Sequence, residues 1–403
     1  MHLCFYSDEL SSNFLPLTLT RPLDDLRIGI HTIRQKWETA LHAKMVARTM
    51  DYYLEGVFTR GTISGIEPTL WLNNRFLPSS ELILQIKKLQ VGESIWHGNH
   101  QVAYFAESEI SRSTFSNNTF PVSKGTRFQC AHETSYITQF WDLLQINGEQ
   151  IQADLNQFNY QTLFSTSFKQ SCSSVNPTEI FVANNAHIEP GCVFIADSGP
   201  IFIGENVTIG AGTILRGPVA ICKSAIVKMG SKISAGTTVG PHCKVGGEIK
   251  NSIFHSYSNK SHDGFMGNSI IGQWCNFGAG TITSNLKNNF GLVKLSHWET
   301  GISSNTGVQF FGAVVADHSK TAIGTKLNTG TVCGVSSNIL SSGFPPKIIR
   351  SFNWLSDNGL MEYRFNHALE TMKAMMARRD VTLTNHYKEM MAFISKSEQT
   401  SSG

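Results

Sequence analysis

The sequence predicts an α/β N-terminal domain over residues 1–165, a parallel β-helix over 179–345 and a helical C-terminal tail over 346–403, with a Ser-, Cys- and Asn-rich linker at 166–178. Three observations carry this. Aliphatic residues recur every six positions at Ile203, Ile209, Leu215, Ile221, Val227, Ile233, Val239 and Val245. Strand-like and helix-like runs alternate before residue 165. Helical spacing returns between Gly359 and Ile394.

Six residues is neither the helical period nor the two-residue alternation of a half-buried strand. It suits a short strand followed by a tight turn, with one large side chain pointing inward per unit. Three such units close a triangular coil, and coils stack into a prism. Glycine follows the aliphatic position at Gly204, Gly210, Gly240 and Gly246. A β-sandwich would instead show turn signals every ~8–12 residues. The register slips after Val245 and resumes at Phe265, Ile271 and Phe277. It slips again at an insertion near 285–310 and resumes at Phe311, Ile323 and Val335.

In the N-terminal domain, Leu3-Cys4-Phe5-Tyr6 reads as a buried first strand and Leu70-Trp71-Leu72 as a second. Leu26 through Met50 has helical spacing, and Leu82–Leu89 suits a helix. In the tail, Met361, Phe365, Leu369, Met372 and Met376, then Tyr387, Met390, Met391 and Ile394, form a stripe. Such a stripe is a packing face, expected to dock on the β-helix or a neighbouring subunit.

Composition narrows the function. There are 33 basic and 30 acidic side chains among 403 residues, so the chain carries no global charge for nucleic acid. No apolar run approaches the ~18 residues of a membrane span. The N-terminus has neither the basic region nor the long apolar run of a signal peptide. Eight scattered cysteines form no CxxC motif and read as reduced, mostly buried thiols of a cytoplasmic protein.

One stretch breaks the repeat with chemistry. Residues 247–285, GEIKNSIFHSYSNKSHDGFMGNSIIGQWCNFGAGTITSN, gather Glu248, Lys250, Lys260, His262, Asp263 and Asn285. Imidazole titrates near neutral pH, which suits His262 to act as a general base. A turn histidine with a local hydrogen bond is the plain alternative. Zinc held by His255, His262 and His318 lacks the close histidine pair such sites show.

This stretch resembles the acetyltransferase domain of the bifunctional N-acetylglucosamine-1-phosphate uridylyltransferase/glucosamine-1-phosphate acetyltransferase family. The marker is the run GAGTIT-x-N together with ungapped spacing from Glu248 to Asn285. The resemblance implies a left-handed β-helix and a homotrimer with the acyl site between neighbouring prisms. It also implies acetyl-coenzyme A as co-substrate, with His262 as base and Glu248 and Asn285 orienting the amine or stabilising charge. Lys250 would hold the sugar phosphate, and Ala279 would meet coenzyme A through its backbone. Two positions depart: the family's tyrosine is Phe265, and its serine falls on Ala313. A downstream family lysine has no aligned partner unless Lys294 serves.

Leu15-Pro16-Leu17-Thr18 and Pro22 resemble the PLT-x-x-x-P skeleton of the same family's sugar nucleotidyltransferase domain. The Gly-rich phosphate loop is absent, and Asp8-Glu9 stands where phosphates would lie. Arg21, Arg27 and Lys36 are the candidate phosphate-binding replacements. Asn73 and Asn147 fall near the family's Mg²⁺-binding positions. The expectation is therefore an enzyme of UDP-N-acetylglucosamine biosynthesis, acting on a sugar 1-phosphate with acetyl-coenzyme A, a nucleoside triphosphate, or both. The alternatives are a single-activity acyltransferase with a degenerate N-terminal domain, or a non-catalytic trimeric scaffold.

Overall fold

The computed structural model describes residues 2–64, 66–131, 134–158 and 171–400. The chain divides into two compact units. One holds residues 1–14, 21–26 and 31–142; the other holds 15–20, 27–30 and 143–403. The division therefore falls before the expected 165, and two N-terminal segments group with the repeats. Hydrogen bonds and burial explain it. Thr20 Oγ1 donates to Asp317 Oδ2 at 2.9 Å, and Arg27 Nε donates to the His255 carbonyl at 3.1 Å. Ile30, Ile151 and Leu155 bury against Phe202, Ala220 and Cys222.

The first unit is built on a six-stranded mixed sheet. Its strand order is Met45–Arg48, His2–Tyr6, Thr69–Asn73, His100–Ala106, Ser94–His97 and Arg127–Gln129. His2–Tyr6 lies parallel to both neighbours, and His100–Ala106 runs antiparallel to both of its own. Cys4, Tyr6, Trp71, Tyr104 and Phe115 pack into one buried cluster. The expected helix from Leu26 to Met50 shrinks to Ile33–Ala40. Thr32 and Gln35 start it with a reciprocal capping box. Met45–Arg48 is lost to the helix because its backbone pairs with His2–Tyr6. Ser80–Ile86 is helical, as the spacing of Leu82–Leu89 suggests.

The second unit is a parallel β-helix with three faces. One face stacks nine strands, from Ile180–Val182 to Ile348–Ile349. A second runs from His187–Ile188 to Asn353–Ser356 and ends in an antiparallel strand, Gly359–Glu362. The third holds six strands from Ser173–Val175 to Phe265–Gly267, with the pair Ile282–Thr283 and Lys326–Leu327 further along the chain. The linker expected at 166–178 thus already contains the first strand of a face; its residues before 171 lie outside the described ones.

The six-residue reading holds in the regular coils. Every aliphatic residue from Ile203 to Val245 at that spacing is buried in the prism core. Ile201, Val219 and Thr237 stand in register on one face, each three repeat units after the one before. The glycines after the inward residues sit where the next coil passes. A Cβ at Gly240 would lie 1.9 Å from the His255 carbonyl oxygen, and one at Gly210 would lie 2.4 Å from the Met229 nitrogen. Corners repeat too: Ser224, His242, Tyr257, Trp274 and His318 each adopt positive φ. His242, Tyr257, Trp274 and His318 stack their rings down that edge.

Three sequence positions differ. Phe265 is half-exposed, and Met266 takes the inward place on that strand. Ile323 is 83% exposed; beyond the insertion the inward series is Val315, Thr321, Leu327, Cys333 and Ile339. Met361 lies on the exposed terminal strand rather than in a helix, because Gly359–Glu362 extends the second face. The tail helices are Phe365–Ala377 and Asn385–Thr400. They bury Met372, Met376, Met390, Met391 and Ile394. They dock on the β-helix through Tyr387, whose hydroxyl meets His318 Nε2 at 2.8 Å, and through Arg379, which donates to the His242 carbonyl at 3.2 Å.

Candidate functional site

The polar residues of the irregular coils lie around one corner of the prism. The strand Glu248–Lys250 buries Ile249 and exposes both neighbours, as strand alternation requires. It pairs in parallel with Phe265–Gly267, setting Glu248 beside Phe265 and Lys250 beside Gly267. Gly267 makes room for two groups: a Cβ there would lie 2.4 Å from Phe265 Cζ and 2.8 Å from Asn285 Nδ2. Asn285 is fixed by donating to Asn268 Oδ1 at 2.8 Å. Lys250, Phe265 and Asn285 therefore share one face. Glu248, Lys232, Asp263 and Phe265 line a cleft of about 290 Å³ on that side of the corner.

His262 is exposed on the corner between this face and its neighbour. It lines a second cleft, of about 520 Å³, with Lys228, Lys244, Asn276 and Lys320. Within one chain, then, the structure brings Glu248, Lys250 and Asn285 together and places His262 on the adjoining side. The corner itself is held by Lys260. This lysine occupies an inward position, in register with Val245, where other coils carry Ile209, Val227 or Phe277. Its ammonium donates to the carbonyls of Gly246 (3.1 Å) and His262 (2.7 Å). Burial lowers its pKa to about 8, against a smaller upward pull from Asp263. Lys260 thus acts on His262 through the backbone; the six-residue period did not mark its inward place, because Val245 to Lys260 is a step of 15 residues rather than three full units. Ala279 turns the chain at the next coil, and its carbonyl accepts from Gly324 N at 2.8 Å.

In the first unit, Asn73 ends the central strand in a buried polar cluster. Asp8 accepts from Arg75 Nε at 2.7 Å and Nη2 at 2.5 Å. Asn73 Nδ2 donates to Asp8 Oδ2 at 2.8 Å. Burial works to raise the Asp8 carboxyl. The hydrogen bonds and charge of Arg75, with the Asn73 amide, outweigh it and hold that carboxyl below the ordinary range. The negative charge that seemed misplaced in the sequence is thereby neutralised by Arg75, a partner 67 residues away.

The surroundings of the remaining predicted residues commit them to structure. Asn147 accepts from Gly29 N (2.7 Å) and donates to the Gly236 carbonyl (2.8 Å) and Thr238 Oγ1 (3.0 Å). Its amide is buried and engaged, so it ties structure together rather than offering oxygen to Mg²⁺. Asn73 is likewise engaged, and no group of three or more His, Cys, Asp or Glu among the described residues could hold a metal. The residues present do not fit a magnesium site. Arg27 is bound to the carbonyls of His255 and Ile30. Arg21 is buried and pairs with Asp25 at 3.4 Å, and Lys36 is buried in the helix Ile33–Ala40. None of the three presents a charge to solvent.

Residues 3–161 match the family model described as sugar nucleotidyl transferase. Part of the chain is similar to proteins named bifunctional protein GlmU. The relative from Ralstonia pickettii is 24% identical over 46% of this chain and 43% of its own. That from Methanococcus vannielii is 37% identical over 29% of this chain and 28% of its own. The chain thus spans less than half the length of the curated relatives it matches. Among solved structures, a UDP-N-acetylglucosamine acyltransferase from Francisella novicida aligns with 57% of this chain and 88% of its own at 14% identity, with a TM-score of 0.21. The family resemblance read from the sequence is borne out. No described helix is long and apolar enough to cross a membrane.

Proposed function

We propose that this transferase acetylates the amine of a hexosamine 1-phosphate, taking the acetyl group from acetyl-coenzyme A, in the cytoplasm. The carrying observation is the shared face of Lys250, Phe265 and Asn285, beside Glu248 and one corner from His262. Lys250 supplies a point charge for the sugar phosphate. Glu248 and Asn285 orient the amine. As the amine nitrogen bonds to the thioester carbon, His262 takes its proton, the C–S bond breaks, and the departing thiolate accepts that proton. General-base help of this kind contributes ~10²–10⁴ in rate. The reading calls for a trimer, in which a neighbouring prism would bring a second wall to the corner where His262 and Glu248 diverge. Eight free cysteines suit a reducing compartment.

The test follows coenzyme A thiol release with glucosamine 1-phosphate and acetyl-coenzyme A. His262→Ala should lose ~10²–10⁴ in kcat/KM with an unchanged melting temperature. Equal rates in the variant and the wild type, or no thiol release in the wild type, overturn the reading.

A second reading concerns the N-terminal half. The engaged amides of Asn73 and Asn147 and the closed Asp8–Arg75 pair favour a chain whose acyl-transfer half alone is active. Absence of pyrophosphate release from UTP or dTTP with any sugar 1-phosphate, alongside intact acetyl transfer, would support it. Release would overturn it.

A further inference from the structure

We infer, resting on the reading of His262 as the base, that Lys260 is a positioning residue for the acetyl transfer: from inside the prism its ammonium spans a shortened corner and holds the overhanging loop that carries His262.

The lengths of successive corners show why this loop needs a holder. Between the strand on the second face and the next strand on the third, a full corner has four residues, as at 228–231 after Val227 and 278–281 after Phe277. After Val245 only Gly246 and Gly247 intervene before Glu248. The next coil returns to the full length, with Ser261, His262, Asp263 and Gly264 between Lys260 and Phe265. The His262 loop therefore overhangs a corner shorter than itself.

The hydrogen bonds change to match. In full corners the carbonyl of the second residue accepts from the corner glycine of the following coil. Ala211 accepts from Gly230 N at 2.9 Å, and Ala279 from Gly324 N at 2.8 Å. His262 is the second residue of its corner, but here the bond moves on by one, and Gly280 N donates to the Asp263 carbonyl at 2.9 Å. The His262 carbonyl accepts from the Lys260 ammonium instead, at 2.7 Å. The same ammonium donates to the Gly246 carbonyl of the short corner at 3.1 Å. One buried cation thus ties two successive corners together.

An ammonium costs more to bury than the aliphatic side chains at the same inward place in earlier coils, Ile209, Val227 and Val245. That cost falls on the coil whose corner bears the imidazole. The held carbonyl and the imidazole belong to one residue, so fixing that peptide fixes where the ring starts. Charge strengthens the hold, since bonds from an ionised donor are roughly twice as strong as neutral ones. Burial lowers the lysine to about 8, and Asp263 pulls against it. The inward neighbours on the adjoining coils, Val245 and Phe277, carry no charge, and Lys228, Lys244 and Lys320 line the cleft outside with His262.

The experiment compares the full chain with Lys260→Met, which keeps the apolar stem and removes the ammonium. At pH 7 it follows coenzyme A thiol release with glucosamine 1-phosphate and acetyl-coenzyme A, and hydrogen exchange over Ser261–Gly264 by mass spectrometry. Exchange in that loop should quicken about tenfold while the coils from Ile201 to Val245 keep their protection. The kcat should fall about ten- to a hundredfold, with both KM values within about twofold. The gap should narrow to about threefold or less near pH 9.5, where the wild type has lost the charge as well. In a His262→Ala background Lys260→Met should change the residual rate by less than about twofold, whereas a general loss of structure would lower it there too. Lys260→Gln, a shorter neutral donor, should give the same pattern with a smaller loss, and it carries the test if circular dichroism shows Lys260→Met unfolded. Unchanged exchange in the loop, faster exchange with kcat unmoved, or a loss that persists without His262 overturns the inference. If the wild type itself releases no thiol, the reading of His262 as the base fails, and exchange alone decides the hold: faster exchange sustains it and unchanged exchange overturns it.

Discussion

The coils from Ile201 to Val245 and the coils from Glu248 to Asn285 share one architecture but differ in what they bury. The first set is near-ideal: three full repeat units per coil, aliphatic side chains inward, glycine where strands from adjacent coils crowd. The second keeps the faces and shortens the spacing. Thr238 pairs with Ile253, and Ile253 with Ile270, each step falling short of three full units. It also admits an ammonium to the interior at Lys260. Regular coils are made for stability, and the irregular ones give some of it up to hold polar groups at a corner. Departure from a repeat is therefore where chemistry should be sought.

Substitutions sharpen that contrast. The largest loss should come from Gly240→Ala. Its Cβ would meet the His255 carbonyl at 1.9 Å, so two coils must part. We expect roughly 4 kcal/mol or more, the range reserved for such steric failures. Urea denaturation checks it, and a loss below that of an aliphatic truncation would contradict the close approach. Leu215→Ala, in a regular coil, should lose about 2–5 kcal/mol through lost burial and an unfilled cavity. A value under about 1 kcal/mol would mean that the prism core is not closely packed there.

Lys260→Met tests the irregular coil by pH. The folded state lowers this lysine to about 8 from 10.5, so the unfolded chain binds more protons between those values. Stability of the wild type should therefore rise with pH above about 8, and the penalty for burying the ammonium applies in full below it. Buried cysteines act oppositely. Burial pushes Cys222 and Cys333 up to about 11, so their ionisation in the unfolded chain erodes stability above about 9. The wild type should show a maximum near pH 9. Lys260→Met should show a clearly smaller rise from 7.5 to 9, as melting curves across that range would reveal. What remains of the rise belongs to Lys320, which burial also lowers to about 8. An identical profile would show that Lys260 is not buried as an ammonium.

The smallest effect is expected from Phe265→Tyr. The ring is half-exposed, and its Cζ and the Asn285 amide both lie against Gly267, so a hydroxyl adds a donor on the acceptor face without disturbing the core. Stability should change by less than about 0.5 kcal/mol. In steady-state kinetics the KM for glucosamine 1-phosphate should fall a few-fold, and an unchanged or higher KM would remove Phe265 from the proposed acceptor site.

Sequence alone determined the prism, because a rung is local: each six-residue unit states its own inward residue and turn. The grouping of Glu248, Lys250 and Asn285 was implied by the family resemblance, while their shared face follows from the pairing of Lys250 with Gly267. Tertiary structure decided what depends on distant partners. Arg75 neutralises Asp8 from 67 residues away, Gly236 and Thr238 engage Asn147, and His255 receives Arg27. It decided as well that Ile323 faces solvent, because the insertion at 285–310 shifts the phase by an amount no period reveals. The cleft that His262 lines was invisible for the same reason: its two walls are far apart along the chain, and only folding brings Lys244 and Arg379 together.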